Sequence, residues 1–288
     1  MKEVELGGRS LGGPAHAPAI SAQAPKPPAL LRTGSGGRRA PQSFFLLALL
    51  WFFPAHAARV VSLNLCTDEL LTLLAPASIA ALSPLARDAS LSVVAGQAAV
   101  LPWVRADAEA VLRLHPDLVL AGQFGAQAVL TVLRQRGVRV VQFAEPADFQ
   151  GVAAEVAEMA ALLGAQAEGS RMVARMWARL ESVPKRARGS AVLWEARGFS
   201  AGAGSFGDIV LKAAGYRDAG TGGQIGIEAL IAHPPGVLIT ETAPAYPSLA
   251  TELLHHPALD GIARRIVAPA LLACPGPWSA DAVAALAE

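Results

Sequence analysis

The sequence predicts an α/β protein of two similar lobes, each a mostly parallel sheet flanked by helices, joined by a single long rigid helix and facing each other across a cleft. Three observations carry this. Glu109-Ala110-Val111-Leu112-Arg113-Leu114-His115-Pro116-Asp117-Leu118-Val119-Leu120 is echoed 119 residues later by Glu228-Ala229-Leu230-Ile231-Ala232-His233-Pro234-Pro235-Gly236-Val237-Leu238-Ile239. In each copy Glu-Ala opens a short apolar-periodic run, a proline stops it, and a buried-strand pattern follows. Strand and helix patterns alternate on both sides of the middle, which implies parallel sheets covered on both faces. Residues 148–183 between them carry a helical pattern without a strand signal.

Residues 1–57 read as a leader outside the fold. A Gly/Pro/Ala-rich start leads to Arg38-Arg39, an apolar block from Phe44 to Phe53, and Ala55-His56-Ala57. That order of basic, apolar and small residues is a secretory signal peptide, with cleavage expected after Ala57 and the mature chain exported. The block is too short for a comfortable membrane span. The whole chain carries 24 basic and 23 acidic residues. Removing the leader takes six of the former and two of the latter, leaving 18 against 21 and a net charge of about −3. A chain of this balance, without a basic stripe interleaved with aromatics, is not built for nucleic acid.

The N-terminal lobe is expected over residues 58–147. Arg59-Val60-Val61-Ser62-Leu63-Asn64 is a short strand, and Cys66-Thr67-Asp68-Glu69-Leu70-Leu71 starts a helix with a Thr/Asp cap. Further strands fall at residues 79–83, within 112–121 and at 138–143, with a helix over 126–136 that Gly137 stops. The helical connector occupies residues 148–184, interrupted at Leu163-Gly164. Its second part spaces Met172, Val173, Met176, Trp177, Leu180 and Val183 as a packed helix face requires. The C-terminal lobe, 185–288, has a strand at 191–194, a Gly-rich loop at 198–207, a helix at 208–214, the repeated helix and strand, a strand near 265–267 and a closing helix over 279–286. The Gly-rich loop Gly202-Ala203-Gly204-Ser205-Phe206-Gly207 resembles a dinucleotide fingerprint only superficially, because the acidic residue needed about 20 positions on is not convincingly placed.

Glu109 and Glu228 occupy matching places in the repeat. Either they favour the positive end of their own helix dipoles, or they form a two-point surface for a partner. The residues alone leave both open.

With these segments assembled, the chain resembles the periplasmic substrate-binding proteins of ABC importers for iron-siderophore, haem and cobalamin. The resemblance rests on the signal peptide, Arg-Val-Val-Ser-Leu-Asn at the first strand, the Glu-to-Pro-Asp-Leu-Val segment, the linking helix and Ile-Glu-Ala-Leu-Ile in the second lobe, and it covers residues 59–288. It implies capture of a metal chelate and its delivery to the permease of an inner-membrane importer. It also implies that Glu109 and Glu228 pair with arginines on that permease. No catalytic residue and no resident cofactor are implied, since the metal chelate is cargo, and a monomer is expected. The ligand would lie between the lobes, beyond the carboxyl ends of the strands. Candidate contacts there are Asn64, Cys66, Arg87, Trp103, Phe124, Trp194, Arg197, Phe199, Tyr246, Cys274 and Trp278. The aromatics suit a flat chelate face and the arginines an anionic group.

Cys66 and Cys274 are the two cysteines of the chain. An exported protein with two often pairs them, but two unpaired cleft residues, or contact with a chelate, fit the sequence as well. Two other functions compete. A zinc or manganese carrier of the same fold would need several His and carboxylate ligands, and His115, His233, His255 and His256 make a poor set. A sensor or adaptor would present ligand to a receptor and leave both glutamates dispensable. No nucleophile, base and orienter occur together as an enzyme requires.

Overall fold

A computed structural model describes residues 58–242 and 252–288. The first lobe contains β1 (Val60–Ser62), α1 (Leu65–Leu74), β2 (Ile79–Ala81), α2 (Ala95–Ala98), α3 (Ala108–Arg113), β3 (Leu118–Gly122), α4 (Gln127–Gln135) and β4 (Val140–Phe143). Its strands are parallel, in the order β2-β1-β3-β4. After α5 (Phe149–Leu163) and α6 (Gln166–Glu181) come β5 (Ser190–Trp194), α7 (Phe206–Ala213), β6 (Arg217–Asp218), α8 (Ile227–Ala232), β7 (Val237–Glu241), β8 (Arg264–Val267) and α9 (Ser279–Ala287). This second sheet is also parallel, and its order, β6-β5-β7-β8, repeats the first. The repeat read in the sequence is therefore one structural unit used twice: α3 feeds β3 as α8 feeds β7.

Strand alternation sends neighbouring side chains to opposite faces. Val60, Leu118 and Leu120 face one core, whereas Val61, Val119 and Ala121 join Val111, Leu130 and Leu133 in a second one under α3 and α4. In the other lobe Leu193 and Ile239 face the first core, while Val192, Trp194 and Leu238 pack with Leu230 in a third. The first core is shared. It runs from Leu71 of α1 through Val156 and Met159 of α5, and Met172 and Met176 of α6, to Leu211 of α7 and Leu286 of α9. Phe149 and Phe206 meet edge to face within it, ring centroids 5.3 Å apart. A central layer of helices thus packs the two sheets into one body.

The connector is broken where an interruption was expected, at Leu163-Gly164, into two helices rather than one. Gly164, at φ 70°, takes the left-handed conformation that ends α5, which a glycine adopts without a steric penalty. The chain then folds back so that α6 lies along α5. Gly169 faces Ala160 so closely that a Cβ on the glycine would sit 2.6 Å from the alanine's. Two small residues set this approach, and the connector is a hairpin of 15- and 16-residue helices.

Cys66, near the start of α1, and Cys274, between β8 and α9, form a disulfide with Cα atoms 5.3 Å apart. Of the three readings of these cysteines, the structure takes the paired one. The Gly-rich loop has a structural reason: Gly202 lies against the backbone of Gly222, and Gly220 against the carbonyl of Ala201, leaving no room for side chains.

Candidate functional site

In both sheets the strand order reverses at the first strand, between β1 and β3 and between β5 and β7. Crevices form outside the carboxyl ends of strands at such points. In the first lobe Asn64, rather than the expected Thr/Asp pair, caps α1. Its Oδ1 accepts from the backbone N–H groups of Cys66 (3.0 Å) and Thr67 (3.3 Å). Gly122, the last residue of β3, lies against this amide, and a Cβ there would come 2.9 Å from Asn64 Nδ2. Gln123 and Phe124 follow, Phe124 being 75% exposed. Phe143, Ala144, Glu145 and Pro146 after β4, Glu155 from α5, and Ala273 and Pro275 beside the disulfide complete the crevice. Its volume is about 120 Å³. Enclosed small-molecule sites usually hold roughly 300–1,000 Å³, so this crevice has room for only part of a large molecule.

Carboxylates dominate its electrostatics. Glu155 is only 9% exposed and, among the described residues, its side chain makes no hydrogen bond or ion pair. Burial, with Glu158 and Glu145 adding repulsion, pushes its carboxyl up to about 7. At the equivalent point of the second lobe Glu195 follows β5 and Glu241 ends β7. Burial raises both, and Glu195 raises Glu241 further. Two more acids lie buried on α1. Asp68 accepts from the N–H (3.1 Å) and hydroxyl (2.5 Å) of Ser83, and burial still pushes it up to about 7. Glu69 accepts from the N–H of Val93 at 2.8 Å, and burial raises it to about 8; its Oε2 has no partner among the described residues.

Of the residues expected at the site, the structure brings Asn64, Cys66 and Phe124 together. Arg197 and exposed Phe199 lie in the loop after β5, at the carboxyl end of the second sheet, away from this crevice. Arg87 spends its guanidinium on the carbonyl of Ala99 at 2.6 Å, and exposed Trp103 is covered by Arg105 at 5.5 Å. Neither of the two lines the crevice. Three expectations are corrected. Trp194 is fully buried, its ring on the far face of β5 and its Nε1–H donating to Ile225 O at 3.0 Å. Trp278 belongs to the shared core and donates to Cys274 O at 3.1 Å. Cys274 is 1% exposed, which leaves its sulfur to the disulfide and none of it to a ligand. Tyr246 lies outside the described residues. Glu109 and Glu228 are exposed in the first turns of α3 and α8.

Glu145, Glu155, Glu195 and Glu241 were not expected. Glu155 had a signal: it stands on the buried stripe Phe149, Val152, Val156 and Met159, where a solvent-facing acid does not belong. A larger groove of about 480 Å³ between α6 and α9 is a weaker candidate. Its charged groups already pair with each other, Arg179 with Asp281 at 2.9 Å and Arg175 with Glu168 at 3.2 Å. Among the described residues no three His, Cys, Asp or Glu side chains are grouped to hold a metal ion, and no helix is long and apolar enough to cross a membrane.

The chain belongs to the periplasmic binding protein family, whose profile matches residues 60–263. Similar solved structures include a periplasmic heme binding protein from Pseudomonas aeruginosa, 25% identical, covering 80% of this chain and 91% of that one with a TM-score of 0.61. The periplasmic heme-binding protein RhuT from Roseiflexus sp. RS-1 is 21% identical, with coverages of 80% and 98% and a TM-score of 0.63. An ABC-type Fe3+-hydroxamate transport protein from Saccharomonospora viridis is 18% identical, with coverages of 79% and 91% and a TM-score of 0.56. No curated protein matches the sequence significantly. Members of this family bind substrates for ABC importers, in the periplasm.

Proposed function

We propose that this protein captures a metal chelate, a ferric siderophore, haem or cobalamin, in the periplasm after cleavage behind Ala57, and hands it to the permease of an ABC importer. The observation that carries this reading is the crevice at the β1/β3 reversal, formed mainly by the first lobe and completed by Ala273 and Pro275 of the second. A ligand seated there touches both lobes, so its presence is reported in their relative position. Phe124 offers an exposed ring to a flat chelate face, and Asn64 Nδ2 a donor to its edge.

Glu109 and Glu228 serve as the docking points. They stand at equivalent positions of the two structural repeats, exposed and without ion-pair partners among the described residues. Exposed pairs are worth about 1 kcal/mol or less each, so they orient the complex more than they tighten it. The test is titration of the purified exported protein with cyanocobalamin, haemin, ferrichrome and ferrioxamine B, followed by tryptophan quenching and equilibrium dialysis. Saturable binding of one of them at micromolar Kd or tighter supports chelate capture, and no binding across the panel refutes it.

A further inference from the structure

Within the crevice two polar groups have capacity left over. Asn64 uses Oδ1 in capping α1, which directs Nδ2 to the other side as an unused donor. Glu155 presents an acceptor that nothing satisfies among the described residues, although the residue is more than nine-tenths buried and lines the crevice. Its oxygens are not among the fully buried atoms that lack a partner, so the carboxyl faces the crevice, where a ligand N–H can take the place of solvent. No Lys, Arg or His side chain among the described residues lies within ion-pair distance of Glu145, Glu155, Glu195 or Glu241. Residues 243–251 contain none of these basic types. The crevice thus offers one donor and one acceptor with no compensating cation, which complements a carboxamide and opposes a carboxylate.

We propose that Glu155 is a specificity-determining residue that selects metal chelates with an amide-bearing periphery and turns away carboxylate-bearing ones. This rests on the chelate-capture reading and narrows it. The amide carbonyl accepts from Asn64 Nδ2 while its N–H donates to Glu155. A chelate carboxylate in the same place meets Glu155 with Glu145 nearby and Glu158 on the same helix, all of one sign. Hydrogen bonds to a charged group correspond to roughly 10- to 150-fold in Kd. Protonating Glu155 turns it into a donor that a carboxylate tolerates, so the discrimination weakens as pH falls through its titration near 7.

The test compares cyanocobalamin and ferrichrome, which bear amides and no free carboxylate, with haemin, which bears two carboxylates. Wild type and Glu155→Gln are measured at pH 8, and wild type again at pH 6, with circular dichroism to establish folding. The proposal expects an amide chelate to bind at least about tenfold tighter than haemin at pH 8. That gap should shrink by a similar factor in Glu155→Gln and in wild type at pH 6. Haemin binding as tightly as the amide chelates, or a gap that neither the variant nor pH changes, overturns the selection while leaving chelate capture standing. If the variant does not fold, the pH comparison on wild type decides. Failure of every chelate to saturate the wild type overturns both.

Discussion

Removing the disulfide with Cys66→Ala and Cys274→Ala tests how far the two lobes depend on their covalent tie. The cysteines are 208 residues apart, so the cross-link closes nearly the whole folded chain into a loop. In the chain-entropy treatment a loop of that length restricts the unfolded state by about 18 cal/mol/K, or about 5 kcal/mol at 25 °C. Losing the buried Cys274 sulfur adds little, because alanine retains most of its volume. Residual structure in the unfolded chain lowers the figure, so a loss of about 3–5 kcal/mol is expected. With a urea m-value near 3 kcal/mol/M the midpoint falls by roughly 1–1.7 M, and m rises because the unlinked chain unfolds to a more expanded state. The assay is urea unfolding of wild type and variant, each with and without dithiothreitol. Reductant should move wild type to the variant's midpoint and leave the variant unchanged. A variant midpoint within about 0.3 M of oxidised wild type would refute the reasoning and mean that the shared core alone fixes the stability.

The other predictions concern the crevice, the buried acids and the docking points. Gly122→Ala should push Asn64 off its capping position, costing roughly 1–2 kcal/mol and weakening chelate binding; unaltered stability and affinity would show that the contact relaxes freely. Asp68, Glu69 and Glu155 hold protons in the folded state at pH values where the unfolded chain has released them. Stability should therefore fall as pH rises from about 4 to about 8, giving a higher Tm at pH 5.5 than at pH 8. Glu69→Gln should flatten that slope, and a Tm that is equal or lower at pH 5.5 would contradict it. Glu109→Ala with Glu228→Ala should preserve chelate affinity while transport by the cognate importer falls several-fold; unimpaired transport would remove the docking role.

Elements whose signal is local were legible. The 119-residue repeat, the parallel strands and the short helices before β3 and β7 come from runs of side chains that each choose a face without reference to distant residues. Directions were harder. Trp194 closes a strand, and whether its ring enters the crevice or the core depends on which sheet face it meets. The connector shows the same limit, since Gly164 announces a stop but only the Gly169–Ala160 contact folds α6 back on α5. Glu155 was passed over because an acid in a helical pattern ordinarily faces water, although its place on the apolar stripe of α5 pointed inward. The cysteines left three readings open because a disulfide depends on Cα atoms 5.3 Å apart at positions 208 residues distant in sequence.

The chain passes between the lobes through the α5–α6 hairpin, and the lobes are joined a second time at Cys66–Cys274. Two separate anchors on a pair of bodies define a line, and relative motion that keeps both intact is rotation about that line. Lobe motion in the oxidised protein is therefore expected to be close to a single rotation, resisted by the shared core. Cutting the sulfur bridge would release twisting and sliding modes that the oxidised protein lacks, so reduction should broaden the range of lobe orientations presented to a permease even where the ligand still binds.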